Sequence, residues 1–172
     1  MKNFIINVTC CLLLAGSLSI EASAQSVREN RNKEKKAEVQ KLIDAQNYVF
    51  KAQSATPLRG GRFIQLTSEY DVVVSKDKIT SFLPYFGRAF TAPINPTEGG
   101  IRFTSEKFEY QVSKKKKGRQ EIIIKPTDLL NPDVRQMVLN VSETGNATLS
   151  VTNNNRDPIT FDGYITAAKE QN

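Results

Sequence analysis

From Tyr48 onward the apolar residues recur at every second position, in short runs separated by turn formers. The clearest run places Ile64, Leu66, Tyr70, Val72 and Val74 on one parity and Gln65, Thr67, Glu69 and Asp71 on the other. Successive side chains of a strand point to opposite faces, so this run has one buried and one wet face. The same alternation relates Tyr48, Phe50 and Ala52, then Phe108, Tyr110 and Val112, then Met137, Leu139 and Val141. Ala147, Leu149 and Val151 continue it, and Ile159, Phe161 and Ile165 complete it. The breaks between runs, such as Gly60-Gly61, Lys76-Asp77, Thr144-Gly145-Asn146 and Asn153-Asn154-Asn155-Arg156-Asp157-Pro158, are rich in turn residues. Short strands joined by turns make an antiparallel meander.

The period differs before Tyr48. Residues 28–38 are mostly charged, and Val39, Leu42, Ile43 and Gln46 then recur at helical spacing. This predicts a helix over 28–46 whose second half packs on the sheet and whose first half is solvated. The expected fold class is therefore α+β: an N-terminal helix on a curved antiparallel sheet of about seven to nine strands, closed like a barrel or split into a sandwich.

The first residues read as an export signal. Lys2 and Asn3 precede an apolar stretch from Phe4 to Leu18, which ends in Ala22-Ser23-Ala24. The stretch is short and interrupted for a membrane span. Cys10 and Cys11 lie inside it rather than after it, which disfavours a lipid anchor. The organisation expected is a signal peptide over 1–24, a charged flexible lead-in over 25–34, one antiparallel-sheet domain over 35–166 and a loose tail over 167–172. The product is exported, periplasmic or secreted, after cleavage between Ala24 and Gln25. It would carry no thiol, since both cysteines are in the leader. A chain of about 150 residues buries about 68–70% of its unfolded surface, so one core suffices without disulfides.

Composition removes several chemistries. The chain has no histidine, which excludes serine–histidine–acid hydrolysis, histidine zinc sites and most neutral-pH proton shuttles. No cofactor and no metal site are expected. The net charge of +6 suits an anionic partner, but an exported chain is not expected to meet nucleic acid. Membrane association is expected only through the leader or weak surface charge. The carboxylate pairs Glu69 and Asp71, Glu106 and Glu109, and Asp157 and Asp162 are the remaining acid–base groups. Residues i and i+2 on a strand meet the separation of a glycosidase pair by geometry alone, so no catalytic residue is assigned.

Two segments stand out as binding candidates. Between two strands, residues 83–100 combine Tyr85, Phe86 and Phe90 with Arg88, prolines and glycines. A ligand-facing loop would stack on the aromatics and anchor an anion on Arg88. The plainer alternative is a loop that folds its aromatics onto the sheet edge. Arg156 and Asp157, in the last long turn, join this candidate set. The second segment is Lys114, Lys115, Lys116 and Lys117, an anion- or lipid-binding cluster or simply a solvated hairpin tip.

Leu83-Pro84-Tyr85-Phe86-Gly87-Arg88-Ala89, followed by Ala92-Pro93 and Gly99-Gly100-Ile101-Arg102-Phe103, resembles a family of exported bacterial proteins known as domain of unknown function 4251. Asn155-Arg156-Asp157-Pro158-Ile159, with Tyr164 soon after, and Gly60-Gly61 before a long strand fit that family too. The resemblance covers roughly 35–166. It implies a signal-bearing protein of Gram-negative bacteria and carries over no activity and no site residue. The expected function is a non-catalytic module of the bacterial envelope that binds a ligand or envelope protein. The competing expectations are a carboxylate-dependent hydrolase of an envelope or dietary polymer and an anionic-surface binder acting through the lysine-rich hairpin.

Overall fold

The computed structural model describes residues 28–90, 99–129 and 133–168. The leader with Cys10 and Cys11, residues 91–98 of the aromatic loop (including Ala92-Pro93) and the end of the tail lie outside the described residues. One helix, α1 (28–45), precedes nine strands: β1 (Tyr48–Pro57), β2 (Ile64–Val74), β3 (Ile79–Leu83), β4 (Ile101–Ser105), β5 (Phe108–Lys114), β6 (Gln120–Pro126), β7 (Val134–Val141), β8 (Asn146–Asn153) and β9 (Ile159–Ala167).

α1 ends where its capping chemistry dictates. The Asn47 N–H reaches the Leu42 carbonyl and the Gln46 N–H reaches that of Ile43, with Gln46 in the left-handed region. These two bonds satisfy carbonyls that the last helical turn leaves open. Gln46, read from spacing as the last helical position, is thus the cap just outside the helix. The charged first half is exposed throughout, while Val39 and Ile43 are buried in the core.

All nine strands form one sheet in the order β4-β3-β2-β1-β9-β8-β7-β6-β5, every neighbour antiparallel. Two meanders, β1 to β4 and β5 to β9, are therefore joined by the first strand pairing with the last. Directions alternate along this order, so the edge strands β4 and β5 point the same way. Only Glu106 and Lys107 separate them. Parallel neighbours need a connection of roughly a dozen residues, so β5 carries on from the end of β4 instead of returning alongside it. The sheet coils until the end of one edge reaches the start of the other, giving a nearly closed barrel with an open seam.

Irregularities in the ladders supply the curvature. β1 shifts register between Ala52 and Ser54 against both β2 and β9, and β7 shifts between Val134 and Gln136. Opposite the β1 shift, the β2 stretch from Gln65 to Tyr70 is longer than the stretch it faces, and Thr67, Ser68 and Glu69 are all exposed. The alternation read from Ile64 to Val74 is interrupted there. Gly163 of β9 lies against the same place, where a Cβ would overlap the Lys51 carbonyl.

The core fills the inside of the coil. Tyr48, Phe50, Ile79, Leu83, Ile122, Met137, Leu139, Leu149 and Phe161 are fully buried. The Tyr48 and Tyr110 hydroxyls meet at 3.2 Å, and burial pushes the Tyr48 phenol well above its ordinary value. Val112, expected on the buried face with Phe108 and Tyr110, is exposed instead. It sits near the end of β5, where an edge strand has a neighbour on one side only. No helix among the described residues is long and apolar enough to cross a membrane.

The bend between the edges is held by one carboxylate. Asp128 accepts hydrogen bonds from the Ser105 hydroxyl and from the N–H groups of Glu106 and Lys107. The Ser105 bond, then the backbone bonds, hold its carboxyl below the usual aspartate range. A depressed folded value means stability that is present above the unfolded value near 3.9 and lost as pH falls through the folded one. Asp128→Ala should therefore lower Tm at pH 7, and the gap to wild type should close as the scan is repeated below about pH 4. An unchanged gap in acid would show that Asp128 does not hold the bend as an anion.

Candidate functional site

At one end of the barrel β1, β3, β6 and β8 finish and β2, β4, β7 and β9 begin. Their connections are residues 58–63, 84–100, 127–133 and 154–158. Backbone hydrogen bonds bring three of these loops side by side. Phe90 N–H donates to Asn155, Asp157 N–H to Arg88 and Leu58 N–H to Pro158. Ala89 and Arg156 form an isolated antiparallel bridge. Asn154 N–H also donates to the Asp133 carbonyl at 2.7 Å. The two conspicuous sequence segments, 83–89 and 155–159, are thus direct neighbours.

Side chains tie this platform from within. The Tyr85 hydroxyl lies 2.9 Å from the carbonyls of both Arg88 and Asp157 and shares its proton between them. Burial raises the Tyr85 phenol, and the Asp157 carboxylate adds to the shift. Arg156 places its guanidinium over the Tyr85 ring, 5.1 Å from the centroid. It pairs with Asp133 at 2.8 Å and donates to the Gly99 carbonyl at 3.1 Å. Asp157 is only 4% exposed, and Arg59 approaches it at 3.7 Å. Asp133 Oδ1, Asp157 Oδ2 and both polar atoms of Asn153 are buried without a hydrogen-bond partner among the described residues. Ordered water commonly satisfies such groups.

Of the predicted residues, Tyr85, Arg156 and Asp157 come together, but as an internal knot. Arg88 contributes its backbone carbonyl to that knot, and its side chain is exposed. Phe86 and Phe90 do not fold onto the sheet edge; they are 45% and 66% exposed. The neighbouring loop adds Leu58 at 68% and Phe63 at 62%, flanked by Arg59 and Arg62. These four are the majority of the large apolar side chains exposed among the described residues. The sequence pattern reads Gly60-Gly61 as a break between strands and as part of the family resemblance, not as a binding segment. The signal available was Leu58-Arg59 and Arg62-Phe63 placed symmetrically about Gly60-Gly61.

The other candidates lie elsewhere. Lys114 to Lys117 occupy the β5–β6 turn at the opposite end, with Lys115 paired to Glu121 at 2.8 Å. Lys51 bridges Asp71 at 2.8 Å and Glu69 at 3.5 Å, and the Asp71 hydrogen bond raises its own pKa above the ordinary value. Glu109 pairs with Lys125, Asp162 accepts from Thr148 on the sheet, and Asp157 is inside the knot. Among the described residues no group of three or more histidine, cysteine, aspartate or glutamate side chains is placed to hold a metal ion.

A family model described as Domain of unknown function (DUF4251) matches residues 30–165. This chain belongs to the DUF4251 family. The match spans the helix and all nine strands except the first two residues of α1 and the last two of β9. The crystal structure of a DUF4251 family protein from Bacteroides eggerthii is similar to this chain, with a TM-score of 0.55 at 19% identity, covering 77% of this chain and 87% of that one. That likeness concerns the fold. Among curated proteins none matches.

The division into knot and rim makes a prediction. Arg156→Ala strips Asp133 of its ion-pair partner and should cost about 2–4 kcal/mol, somewhat below the loss for a fully buried pair. Phe86→Ser and Phe90→Ser should each stay within about 0.5 kcal/mol of wild type in urea melts. Equal losses for all three would erase the distinction.

Proposed function

We propose that this DUF4251 protein is an exported, non-catalytic binding module of the bacterial envelope, and that the loop end of its barrel is the binding surface. Residues 1–24 act as a cleaved leader, and the barrel acts in the periplasm or outside the cell. The observation that carries this reading is the rim of Leu58, Phe63, Phe86 and Phe90, which stays exposed. Arg59, Arg62 and Arg88 alternate with it. Large apolar side chains left exposed at one end of a fold are candidates for an interaction site. Aromatic residues and arginine are also the types that concentrate in the energetic centres of interfaces. The rim therefore suits a partner that presents apolar groups beside carboxylates or phosphates.

The knot beneath explains why such a rim would serve recognition. The described parts of these loops are held by backbone hydrogen bonds and by Arg156, so less ordering entropy opposes binding. The residues that hold the platform differ from those that display it.

Two measurements test the proposal. Intact mass of the protein recovered after expression with its leader in Gram-negative cells should begin at Gln25; a retained leader contradicts export. In the native host, a photo-crosslinking amino acid at position 86 or 90 should give a discrete higher-mass species. The same amino acid at Val112, exposed on the edge strand, should not. Crosslinks from all three positions alike, or from none, would remove the loop end as the binding surface.

A further inference from the structure

α1, the β5–β6 turn and the β7–β8 turn line a half-open cavity of about 260 Å³. It lies at the opposite end of the barrel from the loop rim, since β8 begins beside it and ends at the rim. The volume lies just below the roughly 300–1,000 Å³ of drug-sized ligand pockets, so it suits a small metabolite rather than a polymer. Its lining is strongly cationic: Lys36 from α1 and Lys114, Lys115 and Arg119 from the turn, against one carboxylate, Glu143. Lys36 pairs with Glu143, and Lys115 pairs with Glu121. Lys114 and Arg119 have no ion pair among the described residues. Gly118, at φ +65°, makes this packing possible, because a Cβ there would overlap the Glu143 carboxylate.

One of the lining residues, Gln120, carries a buried acceptor with no partner among the described residues. Gln120 is 6% exposed, and its Oε1 has no hydrogen-bond partner among the described residues. The orientation of its amide is determined by a chain of bonds. Asp44 only accepts, so Gln40 must turn its NH2 toward it, at 2.7 Å. That leaves Gln40 Oε1 facing Gln120, whose own NH2 donates to it at 2.8 Å. Gln120 Oε1 is therefore the atom left over, buried in a residue that lines the cationic cavity. Buried acceptors are satisfied in nearly all native proteins. An occupant that completes this site carries a hydroxyl or N–H donor for Gln120 and an anionic group for Lys114 and Arg119. The planar fork of arginine favours phosphate geometry for that group.

We propose that this cavity binds a phosphate ester that bears a free hydroxyl group, either a soluble sugar phosphate or the headgroup of a phospholipid. The site is independent of the loop rim and of export.

The test is calorimetric titration of the purified protein with glucose 6-phosphate, glucose and inorganic phosphate. Cosedimentation with phosphatidylcholine vesicles, with and without phosphatidylglycerol, runs in parallel. Tighter binding of glucose 6-phosphate than of glucose or phosphate, by about tenfold or more, supports the site with a soluble occupant. Retention on the phosphatidylglycerol vesicles alone supports it with a lipid occupant. In either case Lys114→Gln and Arg119→Gln should each weaken binding by about tenfold, the loss of one charge-assisted hydrogen bond. The double variant Lys116→Gln, Lys117→Gln removes charge from the same turn outside the cavity and should leave affinity within about twofold. Gln120→Leu should weaken the hydroxylated phosphate and not inorganic phosphate, with its Tm measured alongside. Failure of every probe to bind at millimolar concentration overturns the proposal. So does an equal loss in the Lys116, Lys117 variant, which would reduce the effect to diffuse surface charge.

Discussion

The pairing of β1 with β9 organises the molecule. It runs from Tyr48 opposite Ala167 to Pro57 opposite Ile159, through a shared register shift at Ala52 and Ser54. Without it the chain is two separate meanders of four and five strands, each with an open apolar face. With it, all the inward-facing residues surround one core. The close fit of Gly163 under the Lys51 carbonyl lies in this same pairing, where any side chain would force the strands apart. The pairing also determines what sits at the barrel end: Leu58 leaves β1 beside Pro158 as it enters β9, and the two are hydrogen-bonded.

From that pairing follows the layering at the loop end. The β8–β9 turn is held on one side by the β1–β2 loop and on the other by residues 84–90. Arg156 and Tyr85 take up the interior of this junction, and the aromatic and arginine side chains of the rim are left on its outer surface. A polar knot of this kind is sensitive to deletion because each partner depends on the others for its hydrogen bonds. The rim has no such dependence, and its exposure has no structural role that the described contacts reveal. The opposite end is built differently, with a helix laid over a cationic turn and a chain of side-chain amides between them.

Much of the architecture was legible in the residues. The period-two runs located most of the strands, and Val39 and Ile43 located the face of α1 that packs. Neither the joining of β1 to β9 nor the shared direction of β4 and β5 could be read, because pairing partners far apart in sequence leave no local pattern. Val112 and Gln46 were misplaced for related reasons: alternation does not reveal an edge strand, and helical spacing does not reveal a cap. The motif segments at 83–89 and 155–159 were visible as unusual sequence, but chemistry alone did not show that Tyr85 and Arg156 face inward while Phe86 and Phe90 face out. The contribution of residues 58–63 was hidden because a Gly-Gly turn reads as punctuation.

The knot and the β1–β9 pairing hold the rim as a preformed surface. Native-state hydrogen exchange tests it most directly at the amides of Leu58, Phe90 and Asp157. These lie outside the strands, yet each donates to a neighbouring loop or strand entry. They should be protected nearly as well as the β1 and β9 amides and should exchange with them in one cooperative opening. Exchange at the rate of unprotected loops, while β1 and β9 remain closed, would contradict the claim.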